Sequence, residues 1–571
     1  AISYNGQTGG PGQTGSAGTG NPGTGGTNPG TGGTNPGTGG TNPGTGGTNP
    51  GTAGSTLPPP PVTLPGSALQ SAPTYRLTNQ EYMNSASDLL GIPVSVSLEA
   101  DDPSDGGFWI GGAASDGAVR GYHTAAMMVA ATATNATNLP KIAPCAATMQ
   151  NAACAGTFID AFAPKAFRRP LEATQRTALL NAFTTINGKY GFQAGMQTIL
   201  EAILQSPSFL YHLETEEQAL GAGKKPVSGY SMASRLSYLL WATTPDDTLL
   251  QHAGAGMLST PAQVQAEATR MLADPRTKNG LHYFAEQWLH VTEMQPSKTA
   301  PFDTKYTGTL INAIKTSFDM QMDDALLADS GATTALLTSR SAYVNQELAG
   351  IMGVTGVTGT AMQKVTVPQA QRAGILTHPA IMSTFATENG SHPIKRGVFV
   401  WGKVLCQPLP DPPANVPPFV APAPGQSIRQ DFEVLTKDAT ACQPCHKRIN
   451  PVGFLFESYD TLGQYRTIDD NKQPVDTNVT IVGTGDPMLD QATTSATQFL
   501  DRVGADDSSV SACLVTHYYR FAAKRAEALS GADDGSIKKL VDGFKASNQN
   551  FKQVLLGVTQ SEIFLNRLNV L

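Results

Sequence analysis

The first 75 residues contain no Asp, Glu, Lys or Arg; Arg76 is the first formal charge. They also hold little that is apolar. From Thr27 the unit Thr-Asn-Pro-Gly-Thr-Gly-Gly repeats three times, a fourth copy from Thr48 carries Ala53 for a glycine, and a proline run at 58–61 follows. Such a segment cannot offset the entropy of ordering itself. Residues 1–73 are therefore expected to form a disordered Gly/Thr/Asn/Pro tether. Gly-rich coil of ~70 residues reaches about 45 Å, enough to hold a folded body off a surface. Charge is scarce elsewhere too: charged residues make up 15% of the 571, against roughly 25% in an average globular chain. The formal net charge is −7. That balance argues against nucleic acid or an anionic membrane surface as the main partner, since both need clustered Lys and Arg. No apolar run approaches the roughly 18 residues needed to span a bilayer. Gly-x-Ser-x-Gly, His-Glu-x-x-His and phosphate-loop patterns are all missing, which removes the common hydrolase and nucleotide-binding readings. The numbering begins at Ala1 rather than Met, as expected of a chain whose export signal has been removed.

Beyond residue 74 the signals are those of helices. Thr78-Asn-Gln-Glu81 is a capping box, with Leu77 and Tyr82 placed as a hydrophobic staple and Gly91 as the stop. Thr260-Pro-Ala-Gln263 repeats the start signal with Pro261 at the first helical position. Helical periodicity recurs at 192–204, 232–241, 264–272, 281–289, 310–327, 393–405, 512–521 and 551–558. Strand-like alternation is confined to 479–482. The fold is expected to be mainly α. Breaks at 221–226, 350–359 and the proline-rich 408–424 divide the folded part into 74–220, 227–349, a CxxCH-bearing 360–475 and a C-terminal 476–571.

Six cysteines are present. Cys145, Cys154, Cys406 and Cys513 form an even set that suits two disulfides in an oxidising compartment. Of the three connectivities, Cys145–Cys154 and Cys406–Cys513 are expected. The first two flank one turn before a helix at Phe158; Cys406 ends one apolar helix and Cys513 begins another.

The other two stand in Cys442-Gln-Pro-Cys445-His446. Two thiols three positions apart on a helical turn can add to the two vinyl groups of one haem, and the following imidazole then faces the iron. A thioredoxin-like pair would follow a buried strand, which residues 436–441 do not form. A structural zinc site would need a second close Cys or His pair. The cofactor expected is one covalent haem c on Cys442 and Cys445 with His446 as iron ligand. The turn at 450–453 is placed to offer a backbone carbonyl to the other imidazole nitrogen. The preferred sixth ligand is Met488, with His392 as the alternative; His378 and Met382 are further candidates, as is an open position. Glu457 and Asp460, near Arg466, read as ion-pairing groups.

The order of several segments resembles a family. These are the Tyr-Arg-Leu-Thr-Asn-Gln-Glu-Tyr run at 75–82, 88–91, 166–171, 204–211, 234–241, 285–289, 372–377, Lys395-Arg396-Gly397, the CxxCH group, Pro451-Val-Gly453-Phe and Glu457-Ser-Tyr-Asp460. Over residues 74–571 the chain resembles the large secreted proteins of planctomycete and myxobacterial type, built of consecutive domains of unknown function around a cytochrome-c-like segment. The resemblance implies export and haem binding, with no settled reaction, and carries over only to Cys442, Cys445 and His446. In that family Asn450 usually has Asp as its counterpart. The function expected is extracytoplasmic electron transfer with an unidentified redox partner protein. The alternatives are a cell-surface binding or scaffold protein with a structural haem or disulfide, and a haem enzyme of peroxidase or oxygenase type.

Overall fold

The computed structural model describes residues 75–569, apart from 105, 113, 408, 411–424, 438–441, 506–508 and 527–532. The expected tether and most of the proline-rich stretch lie outside the described residues. The described chain is mainly helical. Its strands are short antiparallel pairs: Asp102–Pro103 with Trp109–Ile110, Gly223–Pro226 with Asn566–Asn569, Ser341–Val344 with Gln363–Thr366, and Val479–Thr480 with Ala492–Thr493. Among the described residues no helix is long and apolar enough to cross a membrane.

The local start signals operate as the sequence implies. Thr78 precedes helix Asn79–Leu90; its hydroxyl accepts from the Glu81 N–H while the Glu81 carboxylate accepts from the Thr78 N–H. The helix stops at Gly91, whose φ of 64° is left-handed and costs a glycine little. Thr260 and Gln263 form the same reciprocal pair at Pro261–Leu272. Other expectations changed in detail. The apolar run at 393–405 is an α-helix, Pro393–Phe399, continued by one π-helical turn, Val400–Val404. The polar stretch at 221–226 supplies a strand that pairs with the far end of the chain, and the glycine-spaced run at 350–359 lies between two paired strands.

Buried apolar side chains fall into two clusters. One is drawn from Leu77 to Leu210 with Tyr238; the larger takes Phe108 and residues from Val227 to Phe564. Polar contacts tie them together. The Tyr283 hydroxyl donates to Thr78 Oγ1 at 2.6 Å, and Lys524 sits 3.1 Å from Glu81.

Arg372 and Arg396 are the least exposed arginines among the described residues; the terminal nitrogens of each guanidinium are paired with backbone carbonyls, and each Nε is buried without a partner. Arg372 donates to the carbonyls of Thr377, Ile351 and Gly463 at 2.6–2.8 Å. Arg396 donates to those of Phe456, Tyr459, Met382 and Asp460 at 2.7–3.0 Å. Arg396 thus binds the backbone after helix Gln443–Leu455 at Phe456, Tyr459 and Asp460, and Arg372 reaches it at Gly463.

Both expected disulfides are present. Cys145, in the single turn Pro144–Ala147, joins Cys154 in the first turn of helix Ala152–Phe167; Cys406, just past the π-helical turn, joins Cys513 in helix Ser509–Ala523. The loops they close differ in length, 9 against 107 residues. Loop-closure entropy alone gives about 2.6 kcal/mol for the shorter and about 4.8 kcal/mol for the longer. Replacing Cys406 and Cys513 by Ser should therefore lower the unfolding free energy by about 2 kcal/mol more than replacing Cys145 and Cys154. Denaturant titration checks this; equal losses would contradict it.

Candidate functional site

The CxxCH group opens a helix. Cys442 is the residue before Gln443–Leu455, and Pro444 lies in the first turn, where its missing N–H costs nothing. Cys442 and Cys445 are unpaired and half-buried. They lie three positions apart at the start of the helix, with His446 one position further and also half-buried.

The 450–453 segment is not the turn expected from Pro451. The helix runs through Pro451, whose ring forfeits only the hydrogen bond to the Lys447 carbonyl. The carbonyl acceptor proposed for His446 is accordingly replaced by a side chain. His446 Nδ1 lies 2.8 Å from Asn450 Oδ1, one helical turn on. Asn450 is buried and its Nδ2 donates to Thr436 Oγ1 at 2.9 Å; the Thr436 hydroxyl donates to the Phe432 carbonyl at 2.7 Å. A carboxamide oxygen only accepts, so Nδ1 is the donor in this bond. Among the described residues no hydrogen bond is made to His446 Nε2. Asn450 was visible as an i, i+4 partner of His446; Thr436 belongs to a separate helix, Ile428–Lys437, and no local pattern points to it.

The far half of the same helix is held by backbone contact. A Cβ on Gly453 would fall 2.2 Å from the Pro393 carbonyl oxygen, and one on Gly397 would fall 2.4 Å from that of Ile449. Helices Pro393–Phe399 and Gln443–Leu455 thus cross with no room for side chains. Beyond the crossing, buried Glu457 accepts from Ser391 Oγ at 2.8 Å and pairs with Arg466 at 3.3 Å, while Asp460 Oδ1 accepts from the Leu462 and Gln464 N–H groups. Glu457 is the ion-pairing group expected; Asp460 instead holds a turn through backbone N–H groups.

The axial candidates are scattered. Met488 sits on a surface loop, half exposed, its N–H donating to Asp486 Oδ1. His392 caps helix Pro393–Phe399, its Nδ1 accepting from the Lys395 N–H at 3.3 Å, and its ring packs 5.5 Å from that of Phe432. Burial, with Lys395 and Arg396 nearby, pulls His392 down to about 4. His378 and Met382 are not accessible as ligands. His378 is fully buried; its Nδ1 accepts from the Ala380 N–H at 3.1 Å and its Nε2 lies 3.0 Å from Ser317 Oγ. Met382 is buried in the larger core.

Among the described residues the ligand atoms of one trio, Cys406, Cys513 and His517, come close enough for a metal. Two of these are the sulfurs of a disulfide, which leaves no thiolate to bind one.

The site can be tested for haem on its own features. Both thiols are unpaired, and the imidazole has one nitrogen pinned and no hydrogen bond to the other among the described residues. Val434 and Leu435 are exposed on the helix packed against Gln443–Leu455, and Val482 and Met488 are exposed on the loop after strand Val479–Thr480. The residues present fit a haem.

Comparison with known families adds an order of domains. Five family descriptions, each a protein of unknown function, match consecutive segments: DUF1587 over 75–135, DUF1595 over 154–214, DUF1592 over 227–354, DUF1588 over 372–469 and DUF1585 over 491–564. The chain is thus similar to five such families in succession, as a multi-domain protein, and the CxxCH group falls in the fourth. The matches bring no reaction with them. No curated protein and no solved structure matches the chain.

His378 gives a pH prediction. Burial, with Arg372 nearby, holds its imidazole down to about 3, against about 6.5 in an unfolded chain. The unfolded state therefore takes up a proton first as pH falls, and His378 withdraws stability between about 6.5 and about 3, by at most about 1.4 kcal/mol per pH unit. Asp319, pushed up to about 7 by burial, acts in the opposite sense, so the test is a difference. The stability advantage of the unmodified protein over His378→Gln should shrink steadily on acidification through that window. A pH-independent difference would contradict the assignment.

Proposed function

We propose that the protein is an exported c-type haem protein that passes electrons to or from a redox partner protein. The observation that carries this reading is the start of helix Gln443–Leu455: two unpaired cysteines at i and i+3, followed by an imidazole whose Nδ1 is occupied and whose Nε2 is open. Cys442 and Cys445 would hold the haem through thioether bonds, each S–H adding across a vinyl group, and His446 Nε2 would bind the iron. Bound there, the group supplies a one-electron couple.

The chain's own residues do the rest. Asn450 and Thr436 orient the imidazole. The crossing at Gly397 and Gly453 holds the helix, and Arg396 fixes the backbone that follows. Two disulfides support an oxidising, extracytoplasmic location. Met488, half exposed on its loop, is the preferred second axial ligand. A thioether raises the potential relative to a second histidine.

Full-length protein from a host with c-type maturation should retain its haem on a denaturing gel and lose it when Cys442 and Cys445 are both replaced by Ala. Its spectrum should be low-spin. Met488→Ala should convert it to high-spin and His392→Ala should leave it unchanged. A haem-free band from the unmodified chain would sink the haem reading and favour a surface scaffold. A high-spin spectrum in the unmodified chain, with peroxide turnover, would replace electron carriage with an enzyme of peroxidase or oxygenase type.

A further inference from the structure

The acceptor on His446 has a consequence for any iron bound there. In the hydrogen-bonded series from His446 to Phe432, each group has one consistent role. The Thr436 hydroxyl has a single hydrogen and directs it to the Phe432 carbonyl, so it meets Asn450 as an acceptor. That requires the Asn450 NH₂ on the Thr436 side and its oxygen on the His446 side, which settles the amide orientation from the network. The oxygen then faces Nδ1 at 2.8 Å and demands a proton there. Asn450 and Thr436 are both nearly inaccessible to solvent, so water does not compete for the bond between them and its directionality is strengthened.

We propose that Asn450 is a positioning residue for His446, selecting its Nδ1–H tautomer and, as an uncharged acceptor, setting the electron-donating strength of Nε2. The inference rests on the haem reading above for its redox part and stands without it for the tautomer. A hydrogen bond from Nδ1–H to an acceptor makes Nε2 a stronger donor, and the effect grows with the negative charge on that acceptor. A stronger donor favours ferric over ferrous iron and lowers the potential. Asn450 lies between two extremes, no acceptor and a carboxylate. Thr436 acts one step back, by fixing the amide.

The sign of the shifts separates this role from a merely structural one. In the full-length chain matured with haem, Asn450→Asp should lower the midpoint potential and Asn450→Leu should raise it, so that the two variants fall on either side of the unmodified protein. A packing role alone would shift both the same way. A second measurement needs no haem. Histidine-selective nitrogen NMR of the full-length haem-free chain at mildly alkaline pH should show His446 mostly as the Nδ1–H tautomer. Asn450→Leu should move it to the Nε2–H form usual for free imidazole. Potentials that coincide or shift together, or an Nε2–H tautomer in the unmodified chain, would overturn the proposal. If the matured chain carries no covalent haem, the functional reading fails while the tautomer measurement still decides on Asn450.

Discussion

Two helices, Pro393–Phe399 and Gln443–Leu455, approach so closely that the carbonyl of Pro393 occupies the space a side chain on Gly453 would need, and the carbonyl of Ile449 the space of one on Gly397. Everything near the CxxCH group depends on this crossing. One end of the second helix carries Cys442, Cys445 and His446, and the other end is locked against backbone. A rigid rod held at one end presents the other at a fixed place, which a covalent prosthetic group and a single imidazole ligand require. Backbone contact is stiffer than side-chain contact, because no rotamer can yield to relieve it.

The crossing exposes a second problem, which the buried arginines solve. After Leu455 the chain leaves the helix while still inside the core, so several carbonyls have no helical partner. Arg396 reaches three of them, those of Phe456, Tyr459 and Asp460, and Arg372 reaches that of Gly463. The Arg396 charge is answered at longer range by Glu457, 3.8 Å away, which in turn is held by Ser391 and Arg466. Burial pulls the Arg396 guanidinium down to about 10, still charged at neutral pH. A lysine there would offer three donors from one point and could not bridge carbonyls on both sides. The network is a structural clamp, and the groups in it are already committed to one another.

This explains what could be seen in the sequence. The capping boxes at Thr78 and Thr260, the stop at Gly91 and both disulfides were legible because each depends on residues adjacent in sequence or on a small set of combinations. The CxxCH group was legible for the same reason. Pro451 misled: a proline signals a break, yet the helix continues because one lost hydrogen bond at its last turns is tolerable. The acceptor of His446 was missed with it. Gly397, Arg396, Gly453, Glu457 and Asp460 were noticed as parts of recurring segments, but their meaning is non-local. A glycine mid-helix says only that something comes close; that the neighbour is Pro393 is known once the two helices meet. The strand at 223–226 was hidden likewise, since its partner lies at the other end of the chain.

The account stands on the crossing, and a single methyl group tests it. Gly453→Ala places a Cβ against the Pro393 carbonyl, whereas Gly402→Ala, one turn past the crossing, meets nothing within 4 Å. Thermal melting of the two full-length variants should separate them: Gly453→Ala destabilised by about 1–3 kcal/mol or more, as overpacking against backbone predicts, and Gly402→Ala unchanged or slightly stabilised by its better helix propensity. A Gly453→Ala protein that melts with the unmodified chain would show that the helices do not meet backbone to backbone, and the placement of the CxxCH segment would need another cause.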